Sequence, residues 1–160
     1  MGLSIEQIKN AVEKLKAPSG RLDVQRYKNF ILIDDTYNAN PDSTRAAIEL
    51  VGRIKTFRRK IIFLGDMLEL GNKSIKLHEG LKETIIKFGI DEVYTIGPMM
   101  KYLNKILMQA QIIAKHFSNR KALVNQIESL TFDNSVILVK GSRGMRMEEF
   151  LLEIKNKTVN

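Results

Sequence analysis

Three short segments hold most of the residues that could do chemistry. The first, residues 34–41, begins with the carboxylates Asp34 and Asp35 and contains the amides Asn38 and Asn40. A carboxylate accepts hydrogen bonds from ribose hydroxyls or helps to hold a cation, and an amide both donates to and accepts from a polar substrate. This segment therefore suits a polar or nucleotide ligand.

Part of this segment also has a purely structural interpretation. Asp42 or Ser43 could cap the helix that follows, while Asn38 and Asn40 shape turns. We favour that interpretation for the capping residues alone. Because two adjacent carboxylates repel each other and suit a structural turn poorly, we predict a functional role for Asp35.

The second segment, residues 64–74, contains Asp66 and Glu69 between two glycines. It resembles a phosphate-binding P-loop, which requires four residues between its glycines and Lys-Ser or Lys-Thr directly afterwards. Here five residues separate Gly65 from Gly71, and one more precedes the Lys-Ser pair. The spacing excludes a P-loop, and the two acids suit an amine or another cation.

The third segment, residues 138–148, places Lys140, Ser142 and Arg143 among glycines just before a predicted helix. Open backbone amides, a helix dipole and a planar guanidinium together favour binding of a carboxylate or phosphate. The alternative for Arg143, and more strongly for Arg146, is a solvated surface charge. We predict an anion site here.

Alternating strand and helix patterns surround these segments. The predicted strands are Phe30–Ile33, Lys60–Leu64, Glu92–Ile96, Ile112–Phe117 and Ser135–Val139, and the predicted helices are Ser43–Ile54, Ser74–Phe88, Pro98–Ala110, Lys121–Leu130 and Met147–Ile154. This alternation predicts an α/β fold, a Rossmann-like three-layer domain whose mainly parallel sheet of five to six strands has helices on both faces. The three segments should then meet at the carboxyl ends of the strands.

Composition bounds the possible functions. With 160 residues, 44% hydrophobic and 28% charged, the chain has the size and character of one folded domain. It has no cysteine and two histidines, which excludes disulfides, thiolate metal sites and histidine-built metal sites. There is no run of eighteen apolar residues, so we expect no membrane insertion and a cytoplasmic domain. We also expect a monomer, and no metal site in this domain.

The net charge of +8 raises the question of nucleic acid binding. The densest basic run comprises Arg53, Lys55, Arg58, Arg59 and Lys60. No aromatic motif typical of RNA-binding domains accompanies it, and we interpret it as a solvated helix end where cations offset the dipole. We expect no nucleic acid partner.

The amino end carries a separate signal. Residues 3–16 have apolar side chains at helical spacing, and Ala17-Pro18-Ser19-Gly20 then ends the helix. This helix could pack on the same core. We prefer residues 1–19 as the trailing helix and hinge of a preceding domain, and residues 20–160 as a domain of their own.

Five motifs follow one another in a recognisable order: Gly20-Arg21, residues 34–43, residues 65–71, Leu77-His78, and residues 139–143 with Met147-Glu148. Together they resemble the carboxyl-terminal domain of the Mur ligases, of the MurF type. The resemblance covers nearly the whole chain, and it depends on the joint order of the motifs rather than on any one of them.

The resemblance implies an ATP-dependent amide-bond ligase of peptidoglycan synthesis. Such an enzyme adds D-alanyl-D-alanine to a UDP-N-acetylmuramoyl tripeptide through an acyl phosphate. In the family, the uridine-binding domain and the central ATPase domain, which mainly holds ATP and Mg²⁺, lie upstream. Residues 1–19 would then end the central domain, and the isolated carboxyl-terminal domain is expected to be inactive.

The resemblance also implies roles for individual residues. Arg21 occupies the hinge position that reaches the nucleotide, and Asp35 the acidic position that contacts ATP when the domain closes. Asn38 and Asn40 would shape the loop or contact the dipeptide.

Two further groups are implied to bind the dipeptide. Asp66 and Glu69 would receive its ammonium group, and Lys140, Ser142 and Arg143 would meet its carboxylate. No catalytic residue is implied in this domain, which fits a positioning role.

The alternative from another class is a phosphoacceptor signalling domain. Its acidic pair, acceptor aspartate and lysine would be Asp34, Asp35, Asp66 and Lys140. Against this alternative, Asp66 follows the second predicted strand, whereas the acceptor of such domains follows the third.

Overall fold

The computed structural model describes residues 20–159. Six strands in this part form one sheet, in the order β1-β2-β6-β3-β4-β5. They are β1 (Asp23–Arg26), β2 (Phe30–Asp35), β3 (Arg59–Gly65), β4 (Glu92–Ile96), β5 (Ile113–Phe117) and β6 (Ser135–Lys140). All neighbouring strands are parallel except β1, which runs antiparallel to β2 at the sheet edge. The predicted helix at residues 3–16 and the boundary at residues 17–19 lie outside the described residues.

The helices connect the strands and cover both faces of the sheet. They are α1 (Pro41–Arg53), α2 (Ser74–Glu79), α3 (Leu81–Lys87), α4 (Met100–Gln109), α5 (Arg120–Ser129) and α6 (Glu148–Val159). None of the helices within residues 20–159 is long and apolar enough to cross a membrane. The predicted α/β fold is confirmed.

Alternation along the central strands divides the core into two layers. One layer packs Ile31, Ile33, Ile62, Leu64, Val136 and Leu138 against α1, α3 and α4. The other packs Leu32, Ile61, Phe63, Ile137 and Val139 against α5 and α6. Because the central strands are buried on both faces, they read as continuous apolar runs, which is the pattern expected of a parallel sheet between helices.

Two helix predictions need correction. The single helix predicted for residues 74–88 is two helices, because Gly80 has a ψ of −9° that ends α2. The cap of α1 is Asn40 rather than Asp42 or Ser43. Its side-chain oxygen accepts the Ser43 N–H at 2.8 Å, and the Ser43 hydroxyl accepts the Asn40 N–H at 3.1 Å, which together form a capping box.

The basic run is only partly a solvated helix end. Arg53, Lys55 and Arg58 are exposed, but Arg59 and Lys60 begin β3. Arg59 pairs with the buried Glu92. Lys60 is buried, and its ammonium donates to the Gly52 carbonyl at 3.1 Å. The prediction was wrong for these two residues because strand register brings them beside partners distant in sequence.

Candidate functional site

The carboxyl ends of β2, β6 and β3 lie side by side. Asp35 is the register partner of Lys140 in β6, and Lys140 is in turn paired with Leu64 in β3. The three segments singled out in the sequence therefore meet at one edge of the sheet, as predicted. Residues 36–40, here called the Tyr37 loop, lie between residues 20–22 and the terminal loop (residues 140–146).

A buried ion pair joins the Tyr37 loop to the last strand. Lys140 Nζ lies 2.6 Å from Asp35 Oδ2 and donates to the Asn38 carbonyl at 2.8 Å. Asp35 is 6% exposed and Lys140 is 2% exposed. The other Asp35 oxygen accepts the Leu22 N–H at 3.2 Å. Both carboxylate oxygens thus have protein partners, and the contact of Asp35 with ATP remains a prediction.

The adjacent acid, Asp34, has its own partner. Its Oδ1 accepts hydrogen bonds from the Thr36 N–H at 3.1 Å and the Thr36 hydroxyl at 2.7 Å. Successive residues of a strand point to opposite faces. The carboxylates of Asp34 and Asp35 therefore lie on opposite faces of the sheet. Repulsion between them is thus not a reason to assign a function to Asp35.

Ser142 connects all three segments. Its hydroxyl accepts the Leu68 N–H at 2.8 Å and donates to the Ala39 carbonyl at 3.1 Å. Its own N–H donates to the Asp66 carbonyl at 3.0 Å. Ser142 is buried, so its hydroxyl fixes the relative position of the loops.

Asp66 is bound to the start of α4. Its carboxylate accepts the Met99 N–H at 3.0 Å and the Met100 N–H at 2.8 Å, and the residue is only 1% exposed. Gly97, at φ +117°, makes room for it, since a Cβ there would lie 2.4 Å from the Asp66 carboxyl carbon. The predicted contact of Asp66 with a dipeptide ammonium is untested.

Glu69, the other acid predicted to meet an ammonium, is exposed and has a φ of +63°. Nearby, the buried His78 holds the same loop, because its Nε2 accepts the Met67 N–H at 2.9 Å and its Nδ1 lies 2.8 Å from the Ser74 carbonyl. A carbonyl only accepts, so Nδ1 carries the proton. His78 is thus a structural member of its motif.

Two arginines share one aromatic ring at this edge. The guanidinium carbon of Arg21 lies 4.3 Å from the centroid of the Tyr37 ring, and that of Arg143 lies 5.3 Å from it. Both arginines are exposed, and neither forms an ion pair within residues 20–159. An unpaired guanidinium is a good partner for phosphate or carboxylate oxygens.

Two residues at this edge, Tyr37 and Arg120, were not predicted as site residues from the sequence. Arg120 donates to the carbonyls of Met145 and Arg146, each at 2.9 Å. It also pairs with Glu149 at 2.6 Å, and its guanidinium carbon lies 4.4 Å from the centre of the Phe150 ring. Arg120 therefore clamps the end of the terminal loop. No sequence signal identifies it, because its partners lie more than twenty residues away.

A surface pocket of about 460 Å³ lies beside the site, at the carboxyl ends of β4 and β5. Its lining includes Pro98, Lys101, His116 and Asn119. His116 Nδ1 lies 3.0 Å from the Thr95 hydroxyl. Burial lowers the pKa of His116, and the nearby Lys101 lowers it further, against an opposing effect of Asp66.

The resemblance implies ATP and Mg²⁺ as cofactors, and the residues at this edge can be compared with what each of them requires. The exposed guanidinium of Arg21 is chemically suited to the phosphates of a nucleotide. No group of three or more acidic or histidine side chains in the described part of the chain could hold a metal ion. The roles of ATP and Mg²⁺ therefore stay predictions.

The signalling alternative finds no support. A phosphoacceptor aspartate must be accessible, whereas Asp66 is buried under the backbone amides of α4. Lys140 pairs with Asp35 and not with Asp66.

Comparisons with known proteins agree with this geometry. Residues 20–143 match the family described as Mur ligase, glutamate ligase domain. The UDP-N-acetylmuramoyl-tripeptide–D-alanyl-D-alanine ligase of Escherichia coli K12 is 35% identical over 152 residues, covering 93% of this chain and 32% of that protein. The enzyme of the same name from Bacillus subtilis is 29% identical over 156 residues, covering 96% of this chain and 34% of that protein.

Solved structures give the same result. MurF ligase from Thermotoga maritima in complex with ADP has a TM-score of 0.73 and 26% identity, with 94% of this chain and 36% of that chain covered. A MurF structure from Acinetobacter baumannii has a TM-score of 0.76 and 27% identity, with 96% and 34% covered. The chain spans about a third of the length of the curated relatives it matches. It belongs to the Mur ligase, glutamate ligase domain family.

Proposed function

We propose that residues 20–160 are the carboxyl-terminal positioning domain of an ATP-dependent MurF-type ligase, with residues 1–19 the end of a central ATPase domain. The observation that carries the proposal is that two exposed arginines, Arg21 and Arg143, contact the Tyr37 ring at the edge where the three loops converge and form no ion pair within residues 20–159. The names of the relatives and the match over residues 20–143 support it.

In this proposal the substrates are ATP, a UDP-N-acetylmuramoyl tripeptide and D-alanyl-D-alanine. The tripeptide carboxylate takes the γ-phosphoryl group of ATP, and ADP leaves. The dipeptide amine, in its neutral form, then attacks the acyl carbon to form the C–N bond, the C–O bond breaks, phosphate leaves with the electrons of that bond, and the nitrogen loses one proton to water or to the departing phosphate. Mg²⁺ and most nucleotide contacts belong to the upstream domain. Nucleotide substrates place the reaction in the cytoplasm, and we expect the enzyme to act as a monomer.

The domain contributes orientation rather than covalent chemistry. Arg143 would bind the dipeptide carboxylate, for which its planar fork offers two parallel hydrogen bonds. Glu69 would meet the dipeptide ammonium, with Asn38 and Asn40 shaping the adjoining loop. Holding the amine near the acyl carbon lowers the barrier by removing the entropy cost of bringing them together.

Other predicted site residues would act through the loops they hold. Lys140 and Ser142 use their polar atoms to fix the Tyr37 loop and the terminal loop, and Asp66 fixes the start of α4. Arg21 would reach the nucleotide phosphates. Asp35, bonded to both Leu22 and Lys140, would transmit closure of the domain to the terminal loop.

The test is steady-state kinetics of the intact ligase that carries this chain. Arg143→Ala should raise the KM for D-alanyl-D-alanine about tenfold or more, as expected for a lost charge-assisted bond, and change the KM for ATP little. Arg58→Ala is the matched control, because Arg58 is an exposed arginine just before β3, at the opposite edge of the sheet from the site. Equal changes in the two KM values would remove Arg143 from the dipeptide site.

A second test concerns the 160-residue chain itself. It should fold but not hydrolyse ATP, since the proposal assigns the phosphate cradle to the upstream domain. Magnesium-dependent ATP hydrolysis by the purified chain would contradict the assignment of ATP binding to the upstream domain. An immunoblot of native extract should show a band well above the 18.3 kDa of this chain.

A further inference from the structure

We infer that Leu68 is a specificity-determining residue, an apolar contact for the side-chain methyl group of the carboxyl-terminal residue of the dipeptide. The inference rests on the proposed function, which assigns Arg143 and Glu69 to the two charged ends of that substrate. It adds a partner for the apolar part of the dipeptide, to which no residue of the site is otherwise assigned.

The position of Leu68 relative to Arg143 follows from two contacts. The Leu68 N–H donates to the Ser142 hydroxyl at 2.8 Å. On the other side of Arg143, a Cβ added to Gly144 would lie 2.8 Å from Leu68 Cδ1. Leu68 thus contacts the residues immediately before and after Arg143, and its side chain packs against the turn at residues 143–145.

Leu68 is exposed, but its backbone is held in place. The residue is 43% exposed, whereas the preceding Met67 is buried and donates its N–H to His78 Nε2 at 2.9 Å. Ser142, which accepts the Leu68 N–H, also donates its own N–H to the Asp66 carbonyl at 3.0 Å. An apolar group that is fixed before the ligand arrives loses little conformational entropy on binding, which favours its use as a contact.

Glu69 supports a use of this part of the second segment in binding. It follows Leu68 directly in the chain, is exposed, and forms no ion pair or side-chain hydrogen bond within residues 20–159. Its φ of +63° lies in the left-handed region that glycine adopts without strain. A side chain kept at such a position, with no partner in the described part of the chain, points to a role outside the fold.

The contacts place an apolar group between a cation and an acid. Leu68 adjoins Glu69 in the chain and packs beside Arg143 in space. An extended dipeptide spans about 7 Å, at about 3.5 Å per residue. With its carboxylate at Arg143 and its ammonium near Glu69, the dipeptide passes over Leu68. The methyl group next to the bound carboxylate is then the one that Leu68 removes from water.

This contact makes the site selective for side-chain size. A dipeptide that ends in glycine has no methyl group to bury against Leu68. A dipeptide with a longer last side chain collides with Leu68, which cannot withdraw because it already lies against Gly144. Leu68 therefore favours a methyl group over both a hydrogen atom and an ethyl group at this position.

The experiment measures kcat/KM of the intact ligase with D-alanylglycine, D-alanyl-D-alanine and D-alanyl-D-2-aminobutyrate. Leu68→Ala should raise kcat/KM for the aminobutyrate dipeptide about tenfold relative to D-alanyl-D-alanine. It should also reduce the preference for D-alanyl-D-alanine over D-alanylglycine about threefold, because the buried methyl contact is lost. The matched control is Leu152→Ala, which removes an exposed leucine of α6 outside the three segments and should change neither ratio.

Gly144→Ala changes the same contact in the opposite direction. Gly144 does not have a positive φ, so alanine fits its backbone, but the added Cβ forces the tip of Leu68 away from the turn. The relative kcat/KM for the aminobutyrate dipeptide should fall about threefold. In a Leu68→Ala background, where no Cδ1 remains to be displaced, Gly144→Ala should have no further effect on this ratio.

Unchanged ratios in Leu68→Ala, even with a lower kcat, would overturn the inference and indicate a structural role only. An equal effect of Gly144→Ala with and without Leu68 would overturn it as well. If Leu68→Ala does not fold, as judged by circular dichroism, the response of the ratio to Gly144→Ala alone decides.

The outcomes separate this inference from the proposed function. An active ligase whose dipeptide ratios do not respond to Leu68→Ala overturns the inference and leaves the proposed function intact. A wild-type enzyme that forms no product with D-alanyl-D-alanine contradicts the proposed function, and the inference fails with it.

Discussion

Lys140 Nζ lies 2.6 Å from Asp35 Oδ2, and both residues are buried, with 2% of Lys140 and 6% of Asp35 exposed to solvent. Lys140 is thus almost fully removed from water, and the carboxylate and the Asn38 carbonyl compensate its charge. Removing one member of such a pair leaves the other as an uncompensated buried charge. That cost is larger than the net stabilisation by the pair.

Lys140→Met should therefore lower the free energy of unfolding by about 3–5 kcal/mol, because Asp35 is left buried without its partner. Urea unfolding of the 160-residue chain measures this. Lys121→Met, at an exposed position of α5, is the control and should change stability by about 0.5 kcal/mol or less. Similar losses in the two variants would show that the ion pair is not structural.

A second prediction separates the two acids of the second segment. Asp66→Ala removes the acceptor for the Met99 and Met100 amides and should destabilise the chain by about 2–3 kcal/mol. Glu69→Ala should leave the unfolding midpoint nearly unchanged, since the side chain is exposed. Thermal unfolding of both variants checks this. An Asp66→Ala variant as stable as Glu69→Ala would contradict the capping role.

The sequence could predict the strands because the central sheet is buried on both faces, which leaves apolar runs such as Phe30–Ile33. It could not place β1, whose four residues, Asp23–Arg26, are mostly polar and lie at the sheet edge. A polar edge strand has no periodic signal, and its position depends on pairing with β2.

The loops that carry chemistry could be located, but not the partners of their side chains. Asp66 binds amides 33 and 34 residues away, and Lys140 binds an acid 105 residues away. Such contacts depend on strand order, because β6 is inserted between β2 and β3. Local patterns do not contain that information, and for the same reason Tyr37 was not identified as the shared partner of two arginines.

A third prediction concerns pH. Because burial lowers the pKa of His116 below its ordinary value of 6.5, the unfolded chain binds more protons than the folded chain once the pH falls below about 6.5. The contribution of His116 to stability is therefore present above that pH and is lost as the pH falls through the lower pKa of the folded state. The groups around His116 are the Thr95 hydroxyl, Asp66, which raises the pKa of His116, and Lys101, which lowers it.

Urea unfolding of the wild type and His116→Asn at several values between about pH 7.5 and 5.5 measures this effect. Asparagine keeps a polar atom near Thr95 but does not titrate. The wild type should lose more stability than the variant over this range. Parallel curves would exclude His116 as the source of the pH dependence.

A fourth prediction concerns the clamp on the terminal loop. Arg120 donates to two carbonyls, pairs with Glu149 and lies over the Phe150 ring. A lysine at this position keeps the charge but lacks the planar guanidinium, so it can make only some of these four contacts. Arg120→Lys should cost about 1–2 kcal/mol of stability and speed hydrogen exchange of the Met145 and Arg146 amides, because these residues are released from the clamp.

Hydrogen exchange followed by NMR reports the loop directly, with the Asn40 and Ser43 amides at the start of α1 as an internal reference. If the clamp is local, only the terminal loop should exchange faster, and the reference amides should keep their rates. In the proposed ligase the same substitution should raise the KM for D-alanyl-D-alanine, because Arg143 begins the turn that Arg120 holds. Faster exchange throughout the chain would instead mean that Arg120 stabilises the whole fold and has no separate influence on the position of Arg143.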